Sequence, residues 1–493
     1  MIGLCVVVLL PLRQSELHTD DWGWLAIARH ADAGLASYQQ TLLFGYFYRP
    51  TAMLFWELRE QLAGLSVTGQ LWISLLLLAS CGVLLSGWLH STGLPSLAAA
   101  LAGALLVLCP PIAGTAMWLS SHNEMLAVAF GLLALWASSQ MSWWRWCLAA
   151  LALFLSITSK ETGYVFALAA AVQQLPQWRA GLPRWMAWAG CFVVPVLIAW
   201  LLRQSVIIPI GLELDLSVAA SQFATGLQLW LAHLPSALSG WPGPASWRSV
   251  VALLILGGLG AWSLRAVAGP HRRLLGAAMV LLLLPPLLMS PITSEVLGQA
   301  GAGEILVNLR FYCTSMVGLV VLLALSLCSI KPPKEGAVAL LVIAAHWGVV
   351  SYGQAGRWRD ETRQLSPNWA ELAAQVERAE ALPAEGCLID LTCAGVSAGV
   401  APFVDPIVKA QLPSGHPALR CVILVDGRAP YYSLLEASLC DSQPWAGTGW
   451  HVYEERGRRY ADIIGELCQL ALRPDDPPTV PRQTVPVCTE TGH

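Results

Sequence analysis

The chain has 493 residues, of which 56% are hydrophobic and only 12% charged, with a net charge of −3 and a mean hydropathy of +0.58. Such a balance excludes an ordinary soluble globule and a disordered chain, and it describes a polytopic helical membrane protein.

In chain order, apolar runs fall at 1–12, 71–89, 94–112, 125–138, 147–158, 163–172, 185–202, 250–264, 274–289, 311–330 and 337–352. They predict about eleven transmembrane helices, the longer ones near the ~20 residues that cross ~30 Å of hydrocarbon. The first run is short, lacks a basic flank and has no small-residue cleavage site. It reads as an uncleaved first helix, with a start upstream of Met1 left open.

Lys and Arg are retained on the cytoplasmic side of a membrane. Placing the loop after the first run outside puts Arg145, Arg179, Arg184, Arg265, Arg272, Arg273, Lys331 and Lys334 inside, with Glu335 the one acid among those turns. An odd number of spans then leaves the C-terminal region outside too. The 23 tryptophans read as interfacial belts; Trp143, Trp144 and Trp146 beside Arg145 are one such anchor.

The external first loop, 13–70, opens on HTDDW. Asp20 and Asp21 stand where water, bilayer and protein meet, and charge kept there usually has a job. Partial desolvation would raise the basicity of such a carboxylate enough to take a proton from a hydroxyl or amide nucleophile. A solvated pair capping the next helix fits the spacing equally well.

The loop goes on to YFYRPTAML, where the planar fork of Arg49 suits two phosphate oxygens and Pro50 fixes the backbone; a headgroup-snorkelling arginine is the plainer reading. CPPIAGTAMWLSSHNEM then forms an external turn carrying His122, Asn123 and Glu124 at a helix start, where an acid also serves as a cap. TSKETGY supplies Lys160 and Glu161, suited to substrate contact or to an internal ion pair. NLRFYCTS supplies Arg310 and Tyr312 ahead of a late span.

After Gly353 apolar runs shorten and charge rises. Residues 354–493 predict a small soluble α/β domain: CLIDLTC and CVILVDG read as buried strands, NWAELAAQVERAEAL and YADIIGELCQLAL as helices. Its 18 acids and 12 bases give −6, which is not the charge of a nucleic-acid binder. Cys387, Cys393, Cys421, Cys440, Cys468 and Cys488 fall there; in an external domain disulfides are open to them, as are buried thiols for Cys387 and Cys421.

The order of a DD pair after the first span, YRPT, a PP turn with W-x-S-x-x-x-E, SKE, and R-x-Y before a late span resembles the membrane glycosyltransferases of GT-C architecture. Within them it is nearest the protein O-mannosyltransferase group, including its tetratricopeptide-bearing branch. The resemblance covers residues 1–352, the expected catalytic domain being 1–353. It implies Asp20 as catalytic acid with Asp21 as partner, Glu124 as the second-loop acid, and Arg49 and Arg310 on the donor phosphate, with Tyr312 and Lys160 beside them. His122, Asn123 and Glu161 are further candidates. The chain departs from that branch in reading HNE where RAE is usual and in lacking helical repeats.

The expected activity is therefore an inverting transfer of one monosaccharide from a polyprenyl-phosphate carrier to a protein such as a pilin, lipid A or a surface glycan, in a bacterial inner membrane with the C-terminal domain in the periplasm. A glycan ligase or oligosaccharyltransferase and a lipid-linked sugar transporter are the alternatives. No nucleotide cofactor or nucleic-acid partner is implied, while Asp20, Asp21 and Glu124 together would suit a divalent metal ion.

Overall fold

The structure, a computed structural model, describes residues 1–30, 48–140, 142–175, 181–206, 245–266, 271–299, 312–328, 333–365, 369–378, 387–390, 404–413, 415–416, 421–424 and 484–486, with scattered positions between 224 and 238. It is a bundle of apolar helices.

Helix α1 (Ile2–Leu9) runs into a 3-10 turn, and α2 (Thr19–His30) begins at the acid pair. Helix α3 (Pro50–Ala63) starts with proline at its first position, where the missing N–H has no helical partner to lose, and stops at Gly64, whose φ of 51° suits glycine. Ser66 caps α4 (Val67–Ser91) by accepting from the Gly69 N–H at 3.2 Å. The expected span 94–112 is two helices, α5 (Ser96–Leu108) and α6 (Pro110–Met117), bent by 52°. The cause is the Pro110–Pro111 pair, which cannot continue the hydrogen-bond ladder and drives Cys109 into an extended conformation.

Helices α7 (His122–Ser138), α8 (Trp143–Ser159) and α9 (Gly163–Gln173) follow as a packed antiparallel run, then α10 (Leu182–Phe192) and α11 (Val194–Val206). Helices α12 (Ala245–Ala266), α13 (Arg272–Gln299), α14 (Cys313–Cys328) and α15 (Pro333–Leu365) complete the bundle. Among the described residues, Val67–Ser91, Leu182–Gln204 and Lys334–Arg363 are each long and apolar enough to cross a membrane, and the bent α5–α6 pair makes a fourth. Shorter apolar stretches among the described residues include Ile2–Gln14, Trp143–Ser159, Gly163–Gln173 and Cys313–Cys328. Large apolar side chains such as Trp72, Leu76, Val342 and Val349 face outward, as they do where lipid is the solvent.

The connections collect at two ends. Ser91 meets Ser139 at 2.6 Å and the Trp88 indole donates to Gln173 at 3.1 Å, close to the start of the basic turns. The opposite end holds residues 16–21, 49–59, 118–124 and 158–162. That alternation is the one the loop charges predict. Of the expected tryptophan anchor, Trp143 and Trp144 are exposed, whereas Trp146 turns inward against Phe192.

Helix α15 continues unbroken through Gly353 to Leu365, so the point where composition changes lies inside a helix. Beyond it come α16 (Trp369–Arg378), β1 (Cys387–Asp390), α17 (Val404–Gln411), β2 (Cys421–Leu424) and β3 (Thr484–Pro486), with the strands parallel in the order β2-β1-β3. Cys387 stands opposite Cys421 in that register. Cys393, Cys440, Cys468, Cys488 and the expected helix at 460–472 lie outside the described residues.

At Gly318 a Cβ would lie 2.5 Å from the backbone of both Ala278 and Leu282, on α13. Helix α14 approaches α13 this closely because glycine leaves the space. Gly318→Ala must push the two helices apart, and we expect a loss of about 1–3 kcal/mol, read as a lower melting temperature of the detergent-solubilised protein.

Candidate active site

Buried positions on α3 follow helical spacing: Ala52, Met53, Trp56 and Arg59. Arg59 is fully buried, so every donor of its fork needs a partner. Its Nε donates to Gln70 Oε1 at 2.8 Å, and one terminal nitrogen donates to His122 Nδ1. The guanidinium also lies 4.7 Å over the Trp56 ring. Burial pushes its pKa down to about 9, against the pull of the Asp21 charge.

The other nitrogen of His122, Nε2, faces the Ala116 carbonyl at 3.1 Å. A carbonyl can only accept, so Nε2 carries the proton and His122 meets Arg59 as a neutral acceptor. Next along, Asn123 Oδ1 accepts from the Trp56 indole at 3.2 Å. The H-N-E turn thus clamps α3 with two consecutive side chains.

The third residue of the turn faces elsewhere. Glu124, 1% exposed, receives Lys160 Nζ at 3.0 Å and the Thr162 hydroxyl at 3.1 Å. The neighbouring Glu161 is partly exposed and binds Arg49 Nη2 at 2.7 Å. Burial raises the Glu161 pKa, but the Arg49 charge and hydrogen bond, helped by Lys160, outweigh it and leave the carboxyl below its ordinary value of 4.5.

Arg49 precedes the first turn of α3, and that turn is tied to α8. Thr158 donates to the Phe154 carbonyl at 2.7 Å, so at its 2.7 Å contact with Thr51 it is the acceptor. Beyond Glu161, Arg203 at the end of α11 hydrogen-bonds the Tyr164 hydroxyl. Three cations and two acids therefore share one mouth of the bundle.

Asp21 is also buried, 2% exposed. One oxygen accepts from the His18 N–H at 2.9 Å, closing the start of α2, and the other accepts from the Ser120 N–H at 2.7 Å. This carboxylate caps its own helix and bolts it to the turn before Glu124. Around it, His18, Trp118 and Trp358 form a ring cluster with centroids 4.9–5.8 Å apart. Trp358 arrives on the extended end of α15, where Thr362 also accepts from the Glu16 N–H.

Of the expected residues, the structure brings together Arg49, His122, Asn123, Glu124, Lys160, Glu161 and Asp21. Asp20 lies in the first turn of α2, but its side chain is outside the described residues, as is Arg310. Tyr312 is buried and stacks on Trp230 at 5.8 Å. Among the described residues, no three His, Cys, Asp or Glu side chains gather in a way that would hold a metal ion.

No family model and no curated protein matches the chain. Solved structures overlap it in part. The arabinofuranosyltransferase AftD from Mycobacteria does so at a TM-score of 0.45 and 16% identity, over 79% of this chain and 29% of that one, so this chain spans under a third of AftD. ArnT from Cupriavidus metallidurans in the apo state overlaps at 0.36 and 16% identity over 89% of both chains. ArnT bound to undecaprenyl phosphate overlaps at 0.34 and 18% identity, over 82% of this chain and 83% of that one. At these scores the shared helices assign nothing, and the site is read from its own residues.

Three site residues escaped the sequence reading. Arg59 carried a usable signal, because it sits on the apolar stripe of α3 at 52, 53, 56 and 59. Arg203 carried another, as an arginine at the end of a span away from the basic turns. Trp358 carried none: its place follows only from the length of α15.

Arg59→Met should remove the charged donors from buried Gln70 and His122 and lower stability by about 3 kcal/mol, measured by thermal unfolding in detergent. A depressed folded pKa means that Glu161 stabilises the protein above about pH 4.5 and that this share is lost as pH falls. Melting temperature should therefore drop less between pH 6 and pH 4 in Glu161→Gln than in the wild type.

Proposed function

We propose that the chain is an inverting glycosyltransferase of GT-C architecture, moving one monosaccharide from a polyprenyl-phosphate carrier to an acceptor on the external face of a bacterial inner membrane. The observation that carries the reading is the charge layout: Arg49, Lys160 and Arg203 meet Glu124 and Glu161 at one mouth of an apolar bundle, beside the helix that presents Asp20 and Asp21. Cations at the edge of hydrocarbon suit a phosphate whose tail stays in lipid.

In this mechanism Asp20 takes the proton from the acceptor's hydroxyl or amide nucleophile. The nucleophile bonds to the anomeric carbon as the carbon–oxygen bond to the phosphate breaks on the opposite face, which inverts the centre. Arg49 and Arg310 then meet the charge that grows on the leaving phosphate.

The roles of the two aspartates differ in this reading. Asp21 is held by two backbone N–H groups and works by positioning, fixing the first turn that carries Asp20. The acceptor class, whether protein, lipid A or surface glycan, falls to the region beyond the membrane helices. There α17 packs on α2 and the Ala410 carbonyl accepts from Arg29 at 2.8 Å, so the α/β part is suited to orienting an acceptor beside Asp20.

Asp20→Asn should leave the protein folded and inserted while lowering transfer by roughly 10² to 10⁴, the worth of a general base. Purified variant retaining wild-type turnover on a polyprenyl-phosphate sugar would remove Asp20 from that role.

A further inference from the structure

The two acids at the mouth are not equivalent. Glu124 is sealed, with a side chain 2% exposed that takes both Lys160 and Thr162. Expelling it would leave a buried cation and a buried hydroxyl without their acceptor. Glu161 stands one residue after Lys160, yet its side chain is 28% exposed, and it bonds one terminal nitrogen of Arg49. It can turn into solvent without opening a buried hole.

Arg49 itself cannot follow. It is 12% exposed, and the turn behind it is fixed by Pro50 and by the Thr51–Thr158 hydrogen bond. An arginine fork that already holds a part-exposed carboxylate is a site shaped for an oxyanion. A carboxylate and a phosphate offer that fork the same pair of oxygen acceptors.

Resting on the glycosyltransferase reading, we propose that Glu161 is an internal stand-in for the donor's phosphate, which displaces it from Arg49 on binding. The exchange explains why a cation destined for phosphate sits neutralised at the edge of the bilayer. Glu161 holds the Arg49 fork in place until the donor arrives, and its release makes donor affinity depend on competition between two anions. The depressed Glu161 pKa agrees, since it keeps the stand-in ionised near neutrality.

The full-length protein in detergent should be titrated with a short-chain polyprenyl phosphate and, as a control for the tail, with the uncharged polyprenol. Glu161→Gln should bind the phosphate about two- to fivefold more tightly, the range set by the worth of a part-exposed ion pair, with polyprenol binding unchanged. In the wild type, adding the lipid phosphate should increase carbodiimide labelling of Glu161, read by mass spectrometry. This second measurement holds even if the variant folds poorly. Good wild-type binding with no tightening in folded Glu161→Gln, or with no rise in Glu161 labelling, overturns the exchange alone. No preference of the wild type for the phosphate over polyprenol overturns the lipid-phosphate reading and the exchange with it.

Discussion

Burial of the Arg59 guanidinium sets the geometry around it. A cation with no access to water must satisfy its donors inside the protein, and here the acceptors are Gln70 at the start of α4 and His122 at the start of α7. Three helices are thereby held at one point. Because Trp56, on the same stripe of α3, also bonds Asn123, α3 has little freedom to rotate, and Arg49 at its leading end comes to the 160–162 turn in a single arrangement.

The charges at the mouth then form a graded series. Glu124 with Lys160 is sealed, Arg49 with Glu161 is part-exposed, and Arg203 with Tyr164 lies further out. Local dielectric rises along the same series, so the innermost pair acts as structure and the outer ones are able to exchange partners. A lipid-borne phosphate would meet the outer members first, with its tail among apolar helix faces.

Closure over Asp21 comes from two segments far apart in the chain. The first loop supplies His18 and Asp21, and α15 supplies Trp358 and Thr362 after running past the point where the composition turns polar. The start of the C-terminal region is therefore packed into the bundle: Ser351 donates to the Leu108 carbonyl at 2.9 Å, and Trp358 is buried against His18 and Trp118. A cut near Gly353 would strip one wall of the ring cluster around Asp21, as well as any role in acceptor binding.

The sequence by itself determined the helical membrane class and the order of the acids and arginines along the chain, because apolar run length and residue order are local quantities. The run 94–112, read as one span from its hydropathy, is broken in the structure at Pro110–Pro111, where two prolines interrupt the hydrogen-bond ladder. Tertiary structure alone decided which charge meets which. Arg49 and Glu161 are 112 residues apart, and Asp21 and Ser120 are 99 apart; no periodicity encodes such partners. The same holds for the difference between two acids that look alike in sequence, Glu124 sealed and Glu161 open, since burial is set by the helices that close over a turn and not by the residues within it.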